Sequence, residues 1–215
     1  MILKKRPTAY TEVKEYLRTG DIVLMKGRYA SSHVIEAFEG SEYSHAAIIV
    51  LAKDLGITNC EDVLLWESNV QTEIEDVILS RPKSGPQLLN FRQKILYDFE
   101  NKLDCKVAIR HLYTDNYDPI INGVKSAITE VHDAVFPNLY HECHDPLEGR
   151  FKNIQTSYDT IFCSELVAIT YIKMGLLSGI NPTNSYFPVD FSEMLDVGLL
   201  KRAWLGKEIV LDEDV

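Results

Sequence analysis

The chain has 215 residues, 46% of them hydrophobic and 25% charged, and a formal net charge of −10. That length and apolar content suffice for one domain with its own core and no disulfide staples. The acidic balance weighs against nucleic acid as a partner, because phosphate binding needs a basic surface, and against docking on anionic membranes.

The first seven residues hold no apolar run of signal-peptide length. No stretch reaches the roughly 18 apolar residues of a spanning helix. Both features predict an intracellular, cytoplasmic protein. In that compartment Cys60, Cys105, Cys143 and Cys163, which form no CxxC pair, are expected as free thiols.

Residues 8–18 read as a short helix ended by Gly20, and 21–25 as a strand. Ser31 and Ser32 can cap a short helix carrying Val34, Ile35 and Phe38, broken at Gly40 and Ser41. Residues 45–51 are almost continuously apolar, which predicts a strand buried on both faces. A strand over 63–67 and another over 72–79 follow, then a turn-rich break at 80–86. A short strand at 87–90, a helix to about Phe99 and a strand at 106–110 come next. Pro119 stands where a helix can begin, with helical spacing over 120–135. Residues 137–158 are polar and aromatic-rich and read as a loop or lid. A strongly apolar helix spans 160–174, stopped at Gly175. A turn at 181–188, a short helix near 189–195 and a strand near 208–211 complete the chain. Strands follow strands directly, so the expected class is α+β with a mostly antiparallel sheet, in one domain over 1–215.

The chemistry centres on Cys163. Leu166, Val167, Thr170, Tyr171 and Met174 share its helical face, and Phe162, Ile169 and Ile172 make the other side apolar as well. This helix is therefore central. Thr160 or Asp159 is the expected N-cap, which puts Cys163 in the first turn. Free N–H groups and the helix dipole there favour a negative charge and can help hold an oxyanion. The competing reading is a small buried hydrophobe, the usual fate of a free Cys.

A nucleophilic thiol needs a base. His45 stands out among six histidines because it opens a buried strand directly after a polar turn. Glu67, next to Leu64, Leu65 and Trp66, is costly there unless paired, and can orient the imidazole if the two strands are neighbours. His141, Cys143 and His144 have no standard metal-ligand spacing and read as a polar loop.

The order of three blocks is distinctive: Gly20 to Leu24, then Gly40 to His45 leading into a strand, then Phe162 to Val167 opening a late helix. It resembles the circularly permuted papain-like proteins of the NlpC-type superfamily, with its YiiX-like and poxvirus-related branch and lecithin:retinol acyltransferase as a more distant cousin. The resemblance runs from about residue 19 to the 187–190 segment. It implies a permuted papain-like fold, an antiparallel sheet packed on the helix that bears the nucleophile. It implies Cys163 as nucleophile, His45 as base and Glu67 as the polar third member. Tyr43 and Ser44 beside the His, and Ser164 beside the Cys, become candidate substrate-lining residues.

The expected activity is a thiol hydrolase that cleaves an amide (peptide-like) or ester bond through an acyl-enzyme, with no metal or cofactor. The first alternative is a lipid acyltransferase or thioesterase on the same fold, and the second a binding module without turnover. The expected substrate is a small peptide, another amide or a lipid-like acyl group.

Overall fold

The structure is a computed structural model that describes residues 7–27, 42–137, 148–200 and 202–212. The helix expected over 31–38 and the heart of the expected lid, 138–147, lie outside the described residues. Among those residues the class is α+β, with a mostly antiparallel sheet. Six strands stand in the order β4-β3-β2-β1-β5-β8. They are β1 (Ile22–Gly27), β2 (His45–Leu51), β3 (Val63–Asn69), β4 (Gly85–Asn90), β5 (Asp104–Arg110) and β8 (Ile209–Val210). Each neighbouring pair is antiparallel. A separate two-stranded ladder joins β6 (Leu112–Tyr113) to β7 (Trp204–Leu205).

Strand alternation sends side chains to two cores. Ile22, Leu24, Ala46, Ile48, Val50, Leu64 and Trp66 face one, and Val23, Met25, Ala47, Ile49, Val63 and Leu65 face the other. The continuous apolar run of β2 is thus buried on both faces. The short helices are α1 (Tyr10–Val13) and α2 (Ala52–Leu55); the longer ones are α3 (Phe91–Glu100), α4 (Asp118–Val131) and α5 (Cys163–Lys173). α4 and α5 cover the first face, while α1 and α3 cover the second. α4 can press on α5 because Gly123 has no side chain: a Cβ there would lie 2.5 Å from the Met174 backbone.

Three expectations need correction. Residues 72–79 form no strand: the Asp76 carboxylate accepts from the N–H groups of Ile78 and Leu79 and folds the segment into a turn. α4 stops at Val131, and Lys83 Nζ takes the carbonyls of His132 and Ala134 beyond it. α5 begins at Cys163 itself, because Thr160 is held in a parallel bridge with Val135 and Phe162 takes the N-cap position in extended conformation.

Candidate active site

β2 opens on His45 and β3 closes on Glu67, Ser68 and Asn69. The β2–β3 register sets Ile48 opposite Trp66 and Ile49 opposite Leu65, so the antiparallel ladder brings the start of one strand to the end of the other. His45 and Glu67 share the sheet face of Ala47 and Leu65, diagonally across the pair, where side chains reach each other. His45 Nε2 lies 2.7 Å from Glu67 Oε2, with the carboxylate fully buried and the imidazole 15% exposed.

α5 packs on the opposite face, anchored where Trp66 Nε1 donates to Thr170 Oγ1 at 3.2 Å. Its start is fixed from below: Ser68 Oγ donates to the Ile161 carbonyl at 2.5 Å and Ile161 N–H to the Val135 carbonyl at 3.0 Å. Cys163 is the first residue of the helix and 6% exposed. The first helical bond is from Leu166 N–H to the Phe162 carbonyl, and no side chain caps the helix at Phe162. The N–H groups of Cys163, Ser164 and Glu165 therefore precede the ladder, at the positive end of the helix dipole.

Cys163 stands near enough to the imidazole to bear on its charge. With Nε2 turned to Glu67, Nδ1 is the nitrogen left for sulfur. Burial, the largest single influence, works against an imidazolium, but Cys163 and then Glu67 together outweigh it and hold His45 well above its ordinary 6.5. For Glu67 burial pushes upward; the Lys94 ammonium, then His45 and the Asn69 amide, override it and bring the carboxyl down to about 2. Asn69 Nδ2 donates to Glu67 Oε1 at 3.4 Å. The imidazole thus has a buried carboxylate fixed at Nε2 and a helix-start cysteine nearby.

The other three candidates have partners of their own. Tyr43 is buried beneath the Lys106 ammonium, which lies 4.7 Å from its ring centroid, and donates to Glu208 Oε2 at 2.6 Å. Ser44 Oγ accepts from Gly27 N–H at 2.9 Å, and Ser164 Oγ donates to the Tyr186 carbonyl at 2.9 Å. Both serine hydroxyls thus serve the backbone that frames the site.

Sequence reasoning passed over Glu165. It is buried in the first turn of α5 and accepts from Thr183 Oγ1 at 3.1 Å, while Gln155 bridges the same Thr183. A buried acid two residues after the thiol was the available signal. His141, Cys143 and His144 lie outside the described residues. Among the described residues no group of three or more His, Cys, Asp or Glu side chains could hold a metal ion. No described helix is long and apolar enough to cross a membrane.

No protein-family model matches the chain. No curated protein matches it either. Among solved structures, it is similar to the crystal structure of the metalloprotein YiiX from Escherichia coli O157:H7 (DUF1105), with 18% identity and a TM-score of 0.41. The match covers 72% of this chain, which spans 64% of that one.

Proposed function

We propose that the chain is a cysteine hydrolase acting on an amide or ester carbonyl, built as one permuted papain-like unit with the His strand first and the Cys helix last. Cys163 is the nucleophile, His45 moves the proton and Glu67 holds the imidazole. Attack forms an S–C bond to the carbonyl carbon as the proton passes from His45 to the leaving amine or alcohol. Water, deprotonated by His45, then breaks the thioester. The N–H groups at the start of α5 are set to receive the oxyanion.

One observation carries the reading: His45, beside a helix-start cysteine, lies 2.7 Å from a wholly buried glutamate to which no backbone N–H among the described residues donates. A histidine that merely filled a core would need neither.

The test uses an activated ester, p-nitrophenyl acetate, as probe. The wild-type chain should release a burst of nitrophenol equal to the enzyme present, leaving an acetyl group on Cys163 that mass spectrometry locates. Cys163→Ala should show no burst. A wild-type protein that gives no burst and no modified Cys163 would sink the proposal.

A further inference from the structure

Behind the His45–Glu67 pair lies a second layer of buried charge. Glu67 faces α3 from β3, and α3 packs on that side of the sheet through Phe91 and Ile95. Within the same helix Lys94 is 2% exposed and Asp98 1% exposed, and the two form an ion pair one turn apart. The pair is connected to the strand that carries Glu67. Asp98 Oδ1 accepts from Gln71 Nε2 at 3.3 Å, just beyond the end of β3. Gln87, opposite Glu67 in the β3–β4 register, donates to the Gln71 carbonyl at 3.3 Å.

Helix stability does not explain this pair. An i,i+4 ion pair supports a helix by a few tenths of a kcal/mol. Burying two charges costs far more unless the environment uses them, and apolar residues of similar volume would serve the core equally well. Among the described residues a group that can use a buried cation is Glu67, a wholly buried carboxylate with two side-chain donors, His45 and Asn69. Its other neighbours across the β3–β4 pair include the uncharged Gln87.

We propose that the Lys94–Asp98 pair is a positioning element for the site, in which Lys94 holds the Glu67 carboxylate against the imidazole from behind and Asp98 holds Lys94. The proposal rests on the hydrolase reading. Among the described residues the charged groups that act on Glu67 are Lys94 from α3 and His45 from β2, with Asp98 paired to Lys94 and Cys163 beyond the imidazole. Without Lys94 the carboxylate accepts a proton more readily, stabilises the imidazolium less, and the imidazolium in turn supports the sulfur anion less. Loss of the cation's own field acts in the same direction.

The experiment follows iodoacetamide alkylation of Cys163 by mass spectrometry across pH, alongside thermal unfolding, on the full chain. Lys94→Met should move the low-pH limb of the profile upward by about one unit, a tenfold slower reaction at a fixed pH on that limb. The double variant Lys94→Met with Asp98→Leu leaves no unpaired buried charge and should regain thermal stability, yet keep the displaced limb. It carries the comparison if Lys94→Met is too unstable to assay. Lys94→Arg, which keeps the charge, should return the limb toward wild type. A folded double variant with the wild-type limb would overturn the proposal and reduce the pair to a helix support. Failure of the hydrolase reading looks different: His45→Gln would then leave the profile of the otherwise unaltered chain unchanged.

Discussion

Two histidines paired with wholly buried carboxylates flank Trp66, and they are built differently. His132 stacks on the indole, with ring centroids 6.2 Å apart, and its Nε2 lies 3.1 Å from Asp76 Oδ2. Asp76 also accepts from the N–H groups of Leu88, Ile78 and Leu79. Burial raises the Asp76 pKa, but His132 and the N–H groups of Leu88 and Leu79 outweigh it and hold it below its ordinary value. That carboxylate ties the 78–79 turn and β4 together through their backbone and His132 through its side chain. Glu67, next along β3 from the same indole, accepts from side chains, and its imidazole partner has a sulfur beyond it. On the proposed function, the same ion-pair chemistry serves as a staple in one place and as a relay in the other. What separates them is whether the carboxylate is saturated by backbone donors.

Removing each imidazole function should therefore break different properties. His45→Gln keeps an amide donor near Glu67 Oε2 but offers no base to the thiol. Alkylation of Cys163 at neutral pH should slow by about 100-fold, the lower end of what a positioned base contributes. Cys60 serves as an internal reference, because burial and then Asp62 and Glu61 raise its thiol pKa and keep its own labelling slow. Thermal stability should change little. A large loss of stability with unchanged labelling would make His45 a second staple and erase the distinction.

Asp76→Ala should do the reverse. It leaves the buried Leu88 N–H and His132 without an acceptor and unlocks the 77–80 turn. Denaturant unfolding should show a loss of about 3 kcal/mol, in the range for hydrogen bonds to a buried charge. Labelling of Cys163 in the folded fraction should stay at the wild-type rate. A slowed reaction would mean that the two pairs communicate through Trp66.

The contrast also shows what was legible in the chain beforehand. Apolar continuity marked β2, and a lone acid among Leu64, Leu65 and Trp66 marked Glu67, because such a residue is tolerated only with a partner. The apolar run after Cys163 marked α5. The staple was less visible: residues 72–79 carry strand-like alternation, and nothing local says that Asp76 will bond its own backbone instead. The N-cap was misjudged for a similar reason, since the bridge of Thr160 to Val135 is a long-range contact that overrides local capping preference. Lys94 and Asp98 have ordinary i,i+4 helical spacing in the sequence. Their burial depends on how α3 lies across the sheet, which no pattern within the helix reports. β6 and β7, two residues each, are too short to leave a periodic trace.

Glu67→Gln gives the finest separation between relay and staple. The amide oxygen can still accept from His45 Nε2, so the imidazole keeps its place while the charge behind it is lost. Alkylation of Cys163 should fall by about tenfold, or about 1.4 kcal/mol, well short of the loss from His45→Gln. The same substitution has a signature in acid. The carboxyl of Glu67 lies near 2 in the folded chain against 4.5 unperturbed. A depressed folded pKa contributes stability that is present above the unfolded value and lost as pH falls toward the folded one. Between pH 7 and pH 3 that group alone should remove about 2 kcal/mol from the wild type, and the Gln variant should lack this part of the slope. Asp76→Asn should flatten the acid slope in the same sense, because its folded pKa is also lowered, yet leave the labelling rate untouched. The two carboxylates are thus alike in acid unfolding and differ in thiol reactivity. Equal labelling rates for Glu67→Gln and wild type, with the acid slope flattened, would assign Glu67 to stability and leave Cys163 and His45 to work as a pair.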